Sequence, residues 1–437
     1  MALGGGTFLT QNKILPGSYI NFVSKAKASA TLSDRGYCAM GLVLDWGLDD
    51  TIFEVTKADF QKYSLKLFGY DYSAPQLKNL RDLFLNVKTL FAYRLNSGGV
   101  KATNTYATAK CSGVRGNSLK VVIKNNVDEE EKFDVYLYID DTNLLDLQTV
   151  SEASELVDND FVTWKTEAEL SETAGEPLTT GSNGTANGGS HQKFIDKAES
   201  YSFNVLACNS TDDTIKGLYI SYTKRMRDEI GAKFQTVIHN KEADYEGIIN
   251  VVNEIENCGD FALSSLVFWV AGACASCNVN QSLLNKKYDG EFNIKAEYTQ
   301  SELENFIKEG KFVFHNVGKD IRVLSDINSL VTVSDTKGDL FKENQTVRVC
   351  DQIANDIANI FNTRYIGVVQ NDKAGRVSLW NDIVKHHQQL ELIRAIENFS
   401  PEDVIVEQGD TKKSVVVYDK VTIINAMAQL YMSVEII

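Results

Sequence analysis

A glycine-rich stretch, GSNGTANGGS at 181–190, stands ahead of a predicted helix, the arrangement in which backbone N–H groups can cradle a phosphate. Such a loop also needs Lys followed by Ser or Thr after its last glycine, because the ammonium and hydroxyl hold phosphate and magnesium; here Ser190 and His191 follow. A dinucleotide fingerprint fails too, since no clear strand leads directly into the loop and the glycine spacing is wrong. Cys274 and Cys277 form a CxxC that could be a redox couple or half of a zinc site. No second pair completes four ligands, and the two follow the apolar run SLVFWVAGA, so core packing is the expected role. His386 and His387 adjoin within a predicted helix, where neighbours point about 100° apart and cannot easily chelate one ion, so a solvated face is expected. The acidic run at 128–131 falls in a predicted hairpin turn, where it serves solubility. With no GxSxG, HExxH, kinase or calcium-loop pattern, the reading is of a non-enzyme with no catalytic, cofactor or metal residues.

The elements around these residues belong to a large globular chain. A length of 437 residues implies about two to four domains. Hydrophobic residues at 43% and charged residues at 24% provide for packed cores, not extended disorder. The 44 basic and 59 acidic residues leave a net charge of −15, which opposes nucleic acid and anionic lipid as partners. The longest apolar run, at 265–275, is short of the roughly 20 residues that span a bilayer and reads as a buried helix, so no membrane partner is expected. The start MALGGGTFLTQNK lacks the basic end and apolar run of a secretory signal, and seven scattered cysteines fit a reducing compartment.

Hydrophobic periodicity divides the chain into an arm at 1–24, a core domain at 25–95 and again at 171–336, a β-rich insertion at 96–170, a C-terminal domain at 337–419 and a terminal strand arm at 420–437. Thr56 and Asp59 make a capping box, and Pro75 opens a second helix whose apolar stripe is Leu77, Leu80, Phe84 and Val87. Within the insertion, Phe133, Val135, Leu137 and Ile139 alternate with polar or amphipathic residues, the pattern of a half-buried strand. The Gly-, Ser- and Thr-rich segment 172–192 is predicted to be a loop, after which alternating strands and helices predict βαβ units. Helices over 347–361 and 377–399 are predicted to build the C-terminal domain. The fold class is therefore multidomain α/β: a largely parallel α/β core, an inserted small β domain, an α+β C-terminal domain and extended arms.

Both ends carry strand-like segments without a local partner: Tyr19, Ile20, Phe22 and Val23 near the start, and Leu430, Tyr431, Met432, Val434 and Ile436 at the finish. An unpaired apolar strand suits addition to a neighbour's sheet, with pairing inside one subunit as the alternative.

The ordered segments GGGTFLTQNKILPGSYINFVS, ATLSDRGYCAMGLVLDWG, GVRGNSLKVVI, RVSLWNDIVKHHQQLELIRAIENF and AMAQLYMSVEI resemble the tail sheath proteins of contractile phages. The likeness is greatest to those of Gram-positive hosts and their bacteriocin-like prophage relatives, and it spans essentially the whole chain. It implies copies of this chain stacked as hexameric rings around a tail tube protein, with baseplate and tail terminator proteins at the ends, assembled in the host cytoplasm into a virion tail or tail-like particle. It implies a contraction without ATP that drives the tube through an envelope. It also implies that the terminal segments complete sheets on neighbouring C-terminal domains, that the β insertion lies outermost, and that Lys373, Arg376 and Lys385 face an acidic tube surface. A cytosolic α/β enzyme using the loop near Gly181 and a static shell-forming subunit remain the alternatives at this point.

Overall fold

The computed structural model describes residues 32–436. At its centre is a seven-stranded sheet built from both sides of the β-rich segment. Its order is Lys311–Phe312, Ile248–Val251, Gln235–His239, Val205–Cys208, Tyr37–Leu42, Thr89–Arg94 and Ile52–Thr56. Every neighbouring pair is parallel except Ile52–Thr56 against Thr89–Arg94. The inner strands Val205–Cys208 and Thr89–Arg94 are buried at every position because both faces are covered. Along Tyr37–Leu42, Cys38 and Met40 point to one hydrophobic cluster and Ala39 to the other. The first cluster contains the helices Lys78–Phe84 and Leu266–Ser276, and the second Gly188–Ala198 and Asp213–Arg225.

Leu266–Ser276 is the predicted buried helix, with everything from Leu266 to Ala275 out of solvent. Gly272 allows it to approach its neighbour: a Cβ there would stand 2.5 Å from the Leu83 carbonyl oxygen. Because that contact is backbone, Gly272→Val is expected to cost about 1–3 kcal/mol or more, read as a lowered denaturation midpoint with an unchanged slope.

The β-rich segment packs two antiparallel sheets around one core. One has the order Thr173–Pro177, Leu119–Asn125, Phe133–Ile139, Asn143–Val150, and the other Lys101–Thr103, Ala107–Ser112, Val162–Trp164. Val135, Leu137 and Ile139 face that core as their alternation predicted, and the acidic run 128–131 is exposed in the intervening turn. Thr173–Pro177 corrects the sequence reading, which put it in a loop. Its Gly175 sits at φ +143 beside a register shift, so a bulged edge strand forms where the composition looked irregular.

The C-terminal region has two long helices, Asn344–Arg364 and Lys373–Leu392, the second beginning and ending earlier than the predicted 377–399. Asp372 caps it by accepting from the Gly375 N–H at 2.7 Å, and after Leu392 the chain turns through Arg394 at φ 62. The short strands Ile396–Glu397 and Thr422–Ile423 pair with each other, as do Val404–Gln408 and Val415–Asp419.

Asn344–Arg364 is buried through polar residues as well as apolar ones. Arg227 forks onto Asp351 at 2.6 and 2.8 Å, and the fully buried Arg348 meets Asp326 at 2.6 Å. These bonds tie the C-terminal region to the central sheet domain.

Candidate functional site

The glycine-rich loop is filled by the protein itself. A Cβ on Gly99 would fall 2.0 Å from the Ser182 carbonyl oxygen, and one on Gly184 would fall 2.0 Å from that of Ser97. The glycines therefore let two chain segments lie flush where the β-rich segment leaves and rejoins the core. Asn183 donates to Asp45 at 2.7 Å, and the buried Arg94 donates to the Leu44 and Ser112 carbonyls. His191, just beyond, meets the Tyr219 hydroxyl at 2.9 Å, and burial pushes it down to about 4. It is a neutral core residue, not a phosphate ligand.

Cys274 and Cys277 are buried free thiols, and burial pushes both upward. Arg35 donates to both of their backbone carbonyls, so the segment serves packing. Among the described residues, no group of three or more His, Cys, Asp or Glu could hold a metal, and no helix is long and apolar enough to cross a membrane.

His386 and His387 overturn the expected solvated face, because both are fully buried. Their carboxylate partners, Asp356 and Asp419, come from elements about thirty residues away on either side, which local sequence does not announce.

Of the arm residues, Tyr19, Ile20, Phe22 and Val23 lie outside the described residues. The other end is anchored up to Ala426: Ile424 donates to the Ala395 carbonyl, and Gln345 bonds both Ile424 and Ala426. Beyond it, 427–436 joins no ladder in the single chain. Leu430 is 84% exposed, Tyr431 86%, Met432 75%, Val434 71% and Ile436 93%. Nearby, the hairpin Val404–Gln408 with Val415–Asp419 has no further strand on either edge among the described residues, and its Ile405, Val416 and Tyr418 are exposed.

The three expected tube-facing residues do not share a face. Lys373 and Lys385 are exposed on Lys373–Leu392, without an ion-pair partner among the described residues. Arg376 bends back to the Asn371 side-chain oxygen at 3.0 Å. Nine positions separate it from Lys385, which at about 100° per residue puts the two on opposite sides of the helix.

A multidomain mixed α/β chain whose glycine loop is packed shut, whose Cys274 and Cys277 are core residues and whose apolar tail lies uncovered has the character of a structural protein. Comparison with known proteins defines the class. Residues 97–183 match the phage tail sheath protein beta-sandwich domain, 184–329 the central domain and 336–437 the C-terminal domain. The chain is 30% identical to the PBSX phage-like element protein XkdK of Bacillus subtilis, across 99% of this chain and 100% of that one. The sheath tail protein of Desulfitobacterium hafniense is 35% identical, with a TM-score of 0.79 over 90% of this chain and 93% of that one. The fold is also shared, at a TM-score of 0.57 and 11% identity over 97% of this chain and 99% of that one, with the contracted helical sheath of the anti-feeding prophage. The chain belongs to the phage tail sheath protein family and is a structural component of a phage tail or phage-like particle.

Proposed function

We propose that copies of this chain stack as hexameric rings around a tail tube, between a baseplate and a terminator, and that the polymer contracts to drive the tube through a bacterial envelope. Assembly takes place in the bacterial cytoplasm. The observation that carries this reading is the uncovered tail at 427–436, close in the chain to a hairpin with two open edges. Leu430, Met432, Val434 and Ile436 are spaced by two, so in extended form they share one face. Covering such a face gains about 1.5–3 kcal/mol per large apolar side chain, and each ladder hydrogen bond adds about 0.5–1.5 kcal/mol net.

In this reading the domain scheme of arm, split core, insertion and C-terminal domain is a division of labour. The segment containing Tyr19, Ile20, Phe22 and Val23 and the tail at 427–436 are the arms that link neighbours, the β insertion faces outward, and Lys373, Arg376 and Lys385 are the candidate tube contacts, with Lys373 and Arg376 on one side of their helix and Lys385 on another. The enzyme alternative loses its only loop to packing, and nothing specific favours a static shell.

Electron microscopy of native particles is the test. Striated cylinders in a long narrow form and a short wide form are expected. A discrete globular oligomer would overturn the proposal, and cylinders of one fixed length and width would replace it with a static assembly.

A further inference from the structure

His386 and His387 meet through their Nδ1 atoms at 3.3 Å, while His386 Nε2 lies 2.9 Å from Asp356 and His387 Nε2 lies 2.8 Å from Asp419. Hydrogen-bond chemistry restricts the protons this arrangement can hold. A carboxylate only accepts, so each Nε2 must donate. Two neutral rings protonated at Nε2 would then set two Nδ1 lone pairs against each other, and two fully protonated rings would set two N–H groups against each other. One proton between the Nδ1 atoms satisfies every group. The count is the same if the outer proton sits on the Asp419 side of its bond.

We propose that His386 and His387 share a single proton, and that the resulting pair is a positioning device that fixes the roots of both terminal segments. The roots are on the page. Asp356 also accepts from the Ser33 N–H and hydroxyl, at the start of the described chain, and Leu32 donates to Gln389 on the histidine helix at 3.2 Å. Asp419 ends the strand Val415–Asp419, and Thr422–Ile423 and the tail follow it. The charged pair thus bridges the two places where the chain leaves the C-terminal region.

The remaining surroundings leave the pair free to respond alone. Its own helix contributes Asp382, which is paired with Arg364, Lys385, which is exposed, and Glu391, which accepts from the Phe399 N–H. The helix Asn344–Arg364 contributes Asp356 and the neutral Gln352, and the turn beyond contributes the Phe399 ring, 5.1 Å from that of His387. Burial pushes the Asp356 carboxyl up, but the hydrogen bonds from His386, Ser33 and Gln352 outweigh it and hold the carboxyl below its usual range. Its contribution is therefore present above the ordinary carboxylate range and is lost only in stronger acid.

Two measurements on the full chain test this. Ring ¹⁵N spectra of the unassembled wild type near neutral pH should show one Nδ1–H···Nδ1 pair, whereas two neutral or two fully protonated rings would overturn the proposal. His387→Gln, which removes the ring that shares the proton, should leave the chain folded by circular dichroism but polymerise less than the wild type. Polymerisation of His387→Gln at the wild-type level would overturn the link to the chain ends. That link rests on the arm reading above, and a wild type that does not polymerise would count against that reading while the spectra still decide the shared proton.

Discussion

Removal of residues 427–437 is expected to leave a folded chain, with an unchanged melting transition, that no longer polymerises. Among the described residues, the tail beyond Ala426 is exposed along its length and makes no hydrogen bond to the rest of the chain, so its loss should remove little that supports the fold. In the proposed assembly it would remove the gross burial of Leu430, Met432, Val434 and Ile436 on a neighbour, about 6–12 kcal/mol, with ladder hydrogen bonds in addition. Ordering the segment opposes this with about 1–2 kcal/mol per residue, a term of the same order, so loss of the apolar face is expected to tip the balance against assembly. A single charge tests the face directly. Met432→Asp should abolish assembly, whereas Ser433→Asp, one position along and therefore on the opposite face, should reduce it far less. Sedimentation and electron microscopy read assembly, and circular dichroism reads the fold. Normal cylinders from the truncated chain would remove the tail from the assembly mechanism.

The sequence disclosed those parts of the fold whose signal is local. The capping box of Thr56 and Asp59 formed as read, the alternation of Val135, Leu137 and Ile139 marked its strand, and the apolar run at 265–275 became the buried helix. It was silent where partners are remote. His386 and His387 looked like surface residues because nothing nearby announced Asp356 or Asp419. The stretch 181–190 does not read as a phosphate loop, but its actual use, the close approach of 182–184 to 97–99, was not legible because it depends on a tertiary contact. Polar burial along Asn344–Arg364 escaped for the same reason, since periodicity scores Arg348, Asp351 and Asp356 as solvent-facing. The candidate arms were named from sequence because an unpartnered apolar segment is conspicuous there, and their pairing with neighbours is the proposal that the truncation tests. The positions of Lys373, Arg376 and Lys385 around one helix needed the helix phase and Arg376's bond to Asn371.

Those remote polar contacts also carry the second large effect. Asp326 is buried and accepts from Arg348 at 2.6 Å, from Asn344 Nδ2 at 3.0 Å, from the Leu283 N–H at 2.9 Å and from Ser282 at 3.2 Å. Burial works against the charge on Arg348, and the Asp326 carboxylate beside it outweighs that and keeps the guanidinium charged. Arg348 Nε and Nη1 have no hydrogen-bond partner among the described residues, and Nη2 donates to Asp326 and to the Gln281 carbonyl, so the Asp326 carboxylate is the principal compensation for that charge. Asp326→Ala strands the guanidinium and should cost about 3–5 kcal/mol, measured by denaturant unfolding. The double variant Asp326→Leu with Arg348→Met should recover much of that loss, because removing both charges removes the desolvation penalty along with the attraction. If the single variant were nearly neutral, the ion pair would not hold the first C-terminal helix to the central domain. Two buried charge-assisted joints, Arg348 with Asp326 and Arg227 with Asp351, span the junction between this helix and the central domain. In the proposed contraction, force applied at the tail would reach the sheet core through these joints, and motion would fall to the segment beyond Ala426.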